Sequence, residues 1–462
     1  MKLLTTLLAA SGACAQRVRI QAEAEQLAKL GDTAELLPNN DGAVVDLALL
    51  RQKQTLLPEL RNIEIVERSR AFGEVVDDSR FEGYLDLVQL EERVRALQGR
   101  YPGWLEIVRE DLPVTVEGRT LLVVKLEVPS NNPGDAVVKD NVLVVGAHHA
   151  REIVTPQIVM DMLEQLLRRT ELRETLQRQR LFFVPVVNPD GYVQVWTKDN
   201  MHRKNKNYSA GGDGVDPNRN YHRGFSTCGG SSNPKSQTFR GDSPFSDSEA
   251  ETLRRLTLKH RFAKVLDFHS YGREVLYGSN CALFDERINE MNKQDAIELA
   301  DKADYRVRLP SADGEHVQMH LDISTNYAFL VETQTQFQPP YADALDEMKR
   351  LTPLWEAFLK KKPTFAGRVT DANGSPVEAA LQVLDFIKLR RVTRSDGRFH
   401  LFLPSDVCRR GPVQVKIVPK LDALETKIVD MCKFGVGSVD VPIELAWDDG
   451  LLTLSNVIHD QF

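Results

Sequence analysis

The chain has 462 residues, 42% hydrophobic and 27% charged, which is an ordinary water-soluble composition, and its length favours two or three domains over one core. A formal net charge of -7, with no dense Lys/Arg tract, argues against a nucleic-acid partner. Beyond residue 15 no stretch approaches the roughly 20 apolar residues that span a bilayer.

The chain opens with Met1-Lys2, apolar Leu3 to Ala10, then Ser11-Gly12-Ala13-Cys14-Ala15. A basic start, a short apolar centre and an A-x-A-like cleavage site before Gln16 are the pattern of a secretory signal peptide. Residues 1–15 are therefore expected to be removed, leaving a secreted chain, or a periplasmic one in a bacterium. Four cysteines remain, and an even count in an exported protein permits two disulfides. Pairing Cys228 with Cys281 and Cys408 with Cys432 keeps each bridge within one expected domain; two other connectivities, or free thiols, stay open.

Residues 16–80 alternate short strand-like and helical patterns (Val18 to Ile20, Glu23 to Leu30, Ala43 to Leu49, Leu56 to Arg61, Ile63 to Val66), which predicts a small α+β unit. The turn-prone Val75 to Arg80 stretch reads as a linker. A larger domain is expected over 81–362. It has helices at Leu87 to Leu97, Ile153 to Arg169, Ser246 to His260, 286–303 and Ala342 to Lys360. Strands are expected at Leu105 to Val108, Asn141 to Val145, Leu181 to Val187, Lys264 to Phe268 and Tyr327 to Val331, with a hairpin over Val114 to Val128 turning at Glu117-Gly118. Ser246-Asp247-Ser248-Glu249 reads as a capping box. Strands alternating with helices predict an α/β fold, a mixed twisted sheet covered on both faces. Over 363–447, short strand-like runs separated by Asn-Gly and Asp-Gly turns predict an all-β sandwich, and 448–462 form a tail without signal.

Ligands of open α/β sheets bind beyond the carboxyl ends of the strands, and polar clusters gather there. His149 and Glu152, three apart at a strand-to-helix turn, offer an imidazole and a carboxylate suited to zinc, although the pair alone is a weak signal. Asn188-Pro189-Asp190-Gly191-Tyr192 follows the next strand, His269-Ser270-Tyr271 follows another, and Glu332 ends a fourth. The loop carrying Arg203-Lys204 and Asp216-Pro217-Asn218-Arg219-Asn220 lies between.

In their order and spacing these clusters resemble the zinc metallocarboxypeptidases of the funnelin type, the carboxypeptidase A/B group and its bacterial relatives, over about residues 81–360. The resemblance implies that His149, Glu152 and His269 hold one Zn2+ with an open position, and that Asp216 orients the first histidine. It implies Glu332 as general base and Arg203 as the oxyanion stabiliser. Asn218 and Arg219 would grip the terminal carboxylate of a peptide or protein, with Arg151 and Tyr271 lining neighbouring subsites. His148 is expected not to be a ligand. Digestive members carry a mobile Tyr some twenty residues before the base; here Leu309 to His316 holds none, and Tyr305 is the nearest. In this segment Asp313 or Glu315 would favour a C-terminal Lys or Arg, whereas an apolar floor would favour aliphatic or aromatic residues. The N-terminal unit sits where members carry an inhibitory pro-segment, and the C-terminal module resembles an appended transthyretin-like sandwich. Two other readings stand beside the peptidase: a zinc amidase of peptidoglycan or acylated amino acids, and an inactive scaffold with a binding role. Oligomeric state is not legible.

Overall fold

The computed structural model describes residues 81–442, apart from 110, 130–138, 282–285, 385–389, 405, 421–423 and 435–436, and four strands ahead of them. These are β1 (Gln16–Gln21), β2 (Ala34–Leu36), β3 (Gly42–Asp46) and β4 (Arg61–Arg68), an antiparallel sheet ordered β2-β3-β1-β4. The helical runs expected at 23–30 and from 56, the signal peptide and the 448–462 tail lie outside the described residues.

The main body runs α1 (Leu87–Arg100), β5 (Leu105–Ile107), β6 (Val124–Leu126), β7 (Asp140–Gly146), α2 (Val154–Arg168), α3 (Arg173–Gln177), β8 (Gln179–Val184) and α4 (Pro189–Thr197). It continues with α5 (Ser248–His260), β9 (Lys264–Ser270), β10 (Glu274–Leu276), α6 (Glu286–Asp301), β11 (Arg306–Arg308), α7 (His316–Ile323), β12 (Ala328–Thr333) and α8 (Tyr341–Lys360). Eight strands form one mixed sheet in the order β11-β10-β12-β9-β7-β8-β6-β5. Its centre, β12-β9-β7-β8, is parallel.

Successive side chains of a strand point to opposite faces. Val142, Val144, Leu266 and Phe268 therefore join a core with α1, α2, α6 and α8, and Leu143, Val145 and Val265 join a second core with α5 and α7. Burial on both faces explains why these strands read as unbroken apolar runs. The fold is thus the expected α/β type.

Several local expectations change. The turn at Glu117-Gly118 forms, with the Thr115 carbonyl accepting from Gly118 N–H, but β6 pairs with β5 rather than within a hairpin. The capping box at Ser246 does not form: α5 starts at Ser248 without a side-chain cap. The Ser246 hydroxyl instead donates to Asp247 Oδ2 and accepts from Asn220 Nδ2. The short β10, β11 and α7 escaped the periodicity reading.

After α8 come β13 (Phe365–Thr370), β14 (Ala379–Val383), β15 (Arg390–Val392), β16 (Arg398–Leu401), α9 (Val407–Arg410), β17 (Gln414–Pro419), β18 (Lys427–Asp430) and β19 (Gly437–Pro442). Sheets β16-β13-β19 and β15-β14-β17-β18 share a core that includes Phe365, Leu381, Leu401, Val415 and Ile417. Disulfides join Cys228 to Cys281 and Cys408 to Cys432. The two-sheet module rests on the amino-terminal ends of the central strands: His400 Nε2 is 2.7 Å from Asp140 Oδ1, and Phe402 stacks on Tyr327 at 4.7 Å between centroids.

In the first turn of α5, Glu249 is buried, and burial, followed by the nearby Asp247 carboxylate, pushes its carboxyl up to about 7. In the unfolded chain it titrates near the ordinary glutamate value. Stability contributed by the protonated form is thus fully present below about pH 4.5 and is lost as pH rises through 7. Glu249→Gln should stabilise the protein by about 2–3 kcal/mol at pH 8 and by little at pH 4; urea unfolding at both pH values checks this.

Candidate metal centre

β7 ends at Gly146, where a Cβ would sit 3.1 Å from the Pro185 carbonyl oxygen and 3.2 Å from that of Thr155. A side chain there would press on both carbonyls, so glycine suits the close passage of the strand end by α2. Ala147 then turns with φ 48°, its N–H donating to the Thr155 hydroxyl at 2.8 Å. This turn carries His148 and His149 past the strand end, and Asn188 ties it to the neighbouring loop, its Nδ2 donating to the carbonyls of His148 (3.3 Å) and Lys204 (3.0 Å).

His149 Nδ1 is 2.6 Å from Glu152 Oε1. His269 Nδ1, on β9, is 3.2 Å from Glu152 Oε2 and 3.2 Å from His149 Nδ1. One ligand atom from each of the three residues lies within 4.8 Å of the others, and all three residues are buried. Two imidazoles and a carboxylate form the donor set of a three-residue zinc site. Each imidazole also has a carboxylate behind its second nitrogen: Asp216 Oδ1 is 3.2 Å from His149 Nε2, and Asp267 Oδ1 is 3.2 Å from His269 Nε2. That backing fixes which ring nitrogen faces the centre and suits a metal. Burial raises the Glu152 carboxyl, but His149 and then His269 outweigh it and hold it down at about 2, ready to act as an anionic ligand.

Asp267, in the middle of β9, was not read from the sequence. It also meets the rings of His148 (3.2 Å) and His316 (2.9 Å). The other His148 nitrogen lies 3.0 Å from the Tyr221 hydroxyl. Both nitrogens of His148 are thereby engaged away from the three-residue centre.

Asp216 has a wider reach. Its Oδ2 accepts from Arg203 Nη2 (2.9 Å) and Nε (3.2 Å), and its Oδ1 accepts from the backbone N–H of Asn218 (3.0 Å). Asn218 Nδ2 lies 3.5 Å from His269 Nε2. Arg219 donates to its neighbour's carbonyl at 2.7 Å and to Glu315 Oε1 at 3.1 Å. Parallel pairing of β12 with β9 sets Glu332 level with His269. Burial, relieved by His269 and reinforced by Glu152, pushes the Glu332 carboxyl up to about 8, and its Oε2 has no hydrogen-bond partner among the described residues.

Arg151 and Tyr271 converge on Phe337, a residue the sequence reading passed over. The guanidinium lies 4.1 Å over the ring and the tyrosine meets it edge-on at 4.8 Å. Of the two acidic residues before α7, Asp313 is taken up locally, accepting from Gln318 Nε2 at 2.6 Å and Asn280 N–H at 3.3 Å. Glu315 is the one that faces Arg219. Tyr305 is buried with its hydroxyl on Glu347, so it is not placed as a mobile cover.

A model described as zinc carboxypeptidase matches residues 90–350. An inactive metallocarboxypeptidase, ECM14, of Ajellomyces dermatitidis is 29% identical over 261 residues, 52% of this chain and 43% of that protein. Carboxypeptidase B of Rattus norvegicus is 31% identical over 192 residues, 38% of this chain and 45% of that protein. The chain thus spans less than half the length of these two relatives. Among solved structures, a carboxypeptidase A from Helicoverpa armigera superposes with a TM-score of 0.60 at 20% identity, covering 74% of this chain and 95% of that one, a likeness of fold.

Removing the charge behind His149 should loosen the centre. Asp216→Asn is expected to weaken Zn2+ binding by about 10–100-fold, measured by competition with a chromophoric chelator.

Proposed function

Because the chain belongs to the zinc carboxypeptidase family, we propose that it is an exopeptidase that removes the C-terminal residue of peptides or proteins. His149, Glu152 and His269 would hold one Zn2+ ion. The observation that carries this reading is the 3.5 Å approach of Asn218, the chain neighbour of Arg219, to His269 of the three-residue centre. A planar guanidinium binds both oxygens of a carboxylate, so a substrate ending there presents its last peptide bond to the centre.

Zinc, when bound, would polarise the scissile carbonyl and make water a better nucleophile near neutral pH. Glu332, in its ionised form, would take the proton from the attacking water and deliver it to the departing amine; an Oε2 without a hydrogen-bond partner among the described residues supports this role. Arg203, held along one edge by Asp216, would stabilise the developing oxyanion. Arg151, Tyr271 and Phe337 would line the approach of the preceding residues.

The pairing of Glu315 with Arg219 bears on the leaving residue. A substrate carboxylate on Arg219 adds a negative charge beside a buried carboxylate whose Oε2 has no hydrogen-bond partner among the described residues. A cationic side chain on the terminal residue offsets it, so C-terminal Lys or Arg is the favoured substrate. The two disulfides support a site of action outside the reducing cytosol. No described helix is long and apolar enough to cross a membrane.

The zinc-amidase alternative lacks a need for a free terminal carboxylate. The inactive-scaffold alternative takes weight from the relative named as inactive, yet this chain retains three ligands and Glu332 together. Peptides differing only in a C-terminal acid or amide decide the first point: the acid should be cleaved at least tenfold faster, and equal rates would favour the amidase. Glu332→Gln should retain zinc while kcat falls by about 10²–10⁴; metal retention with no activity in either protein would favour the scaffold. Glu315→Gln should cost at least tenfold in kcat/KM for C-terminal Arg relative to Phe.

A further inference from the structure

Arg391 lies on β15 of the C-terminal two-sheet module, yet it is 1% exposed and it reaches two acceptors of the main domain. Nη1 donates to the carbonyl of Leu321 at 2.6 Å, and Nη2 donates to Asn326 Oδ1 at 3.2 Å. Leu321 is in the last turn of α7, where backbone carbonyls have no partner within the helix and carry the negative end of its dipole. A guanidinium there satisfies both needs.

The other end of α7 is at the substrate clamp. His316 N–H donates to Asn218 Oδ1 at 2.9 Å, Glu315 pairs with Arg219 at 3.1 Å, and Tyr221 N–H donates to the Gly314 carbonyl at 3.1 Å. Eight residues of helix reach about 12 Å. The axial position of this short rod is therefore set by the Asn218-Arg219 turn at one end and by Arg391 at the other. Asn326 strengthens the second anchor, donating to Phe402 of the module at 2.6 Å.

We infer that Arg391 is a positioning residue through which the C-terminal module sets α7, and with it the Asn218-Arg219 grip on the substrate carboxylate. The inference rests on the exopeptidase reading. It assigns the module a part in substrate recognition, exercised from the opposite end of the sheet.

The test compares full-length, zinc-loaded wild type with Arg391→Met, Arg391→Lys and Arg394→Ala. The last removes another contact between module and main domain, the 2.9 Å bond from Arg394 to the Lys139 carbonyl. Each is assayed on paired peptides with a C-terminal acid or amide. Arg391→Met should raise KM for the acid about tenfold, hold kcat within about twofold, and shrink the acid-over-amide preference by about the same tenfold. Arg391→Lys, which keeps the charge and can reach one acceptor, should fall between, and it carries the test if the Met variant does not fold. Arg394→Ala should retain the preference. An unchanged preference in the Arg391 variants, or an equal loss in Arg394→Ala, overturns the inference alone. A wild type that treats acid and amide alike overturns the exopeptidase reading and the inference with it.

Discussion

The candidate site depends on one fully buried carboxylate. Asp216 is 0% exposed, and a charge so placed is costly unless donors surround it. Burial alone would raise its pKa, but Arg203 and then His149 outweigh that and hold it well below the usual carboxylate range. Staying ionised, it does three things at once. Its Oδ1 lies 3.2 Å from His149 Nε2, on the ring edge away from Glu152. It fixes the guanidinium of Arg203. It caps the turn that presents Asn218 and Arg219. Metal ligand, oxyanion stabiliser and carboxylate grip, assigned to three roles in the proposed reaction, thereby share a single reference point.

Asp267 repeats the arrangement for His269 from within β9. It also holds His148 and His316, so the second histidine is backed by a packed cluster of rings rather than by an isolated pair. His148 and His269 stack at 5.3 Å, and His316 and His320 meet edge-on at 4.8 Å. Burial presses His148 down to about 4 despite Asp267, so it sits as a neutral ring whose tautomer is set by its partners. A polar network satisfied in this way is stiff, and stiffness at the second shell is what holds a metal ligand in one orientation. This also accounts for a histidine next to a ligand histidine that does not itself face the centre.

Sequence patterning carried the central sheet because β7, β9 and β12 are buried on both faces and so appear as apolar runs between polar strand ends. The polar clusters holding His149, Glu152, His269, Glu332, Asp216, Asn218 and Arg219 stood out at strand ends and in the turn-rich loop between, while the role expected of each came from the resemblance to zinc carboxypeptidases. Asp267 was not, since a single acidic residue inside Lys264–Ser270 gives no periodic signal, and its meaning appears only when three histidines surround it. α7 was missed because polar His316, Gln318, His320 and Asp322 alternate with apolar Val317, Met319, Leu321 and Ile323, a strand-like period of two. Ser246 looked like a cap because its spacing to Glu249 was right, but Asn220 from a distant loop claims the hydroxyl first. Phe337 lies just after β12, in a segment whose composition resembles any loop.

The position of the C-terminal module follows from the same sheet. The central parallel strands put His149, Glu152, His269 and Glu332 at or just beyond their carboxyl ends, which leaves the amino-terminal ends as a rim where Asp140 and Tyr327 meet His400 and Phe402. A buried guanidinium adds little stability, because its desolvation cancels much of what its hydrogen bonds return. What it adds is direction. A planar guanidinium that donates to one carbonyl of α7 and to one amide oxygen just before β12 favours one register of the two. α7 descends from the grip to that rim and β12 climbs back from it to Glu332, so both chain segments that leave the rim at this point end at the reacting centre. A contact that fixes where they begin constrains where their far ends sit, and this gives a buried arginine a role that an apolar side chain of the same volume could not fill.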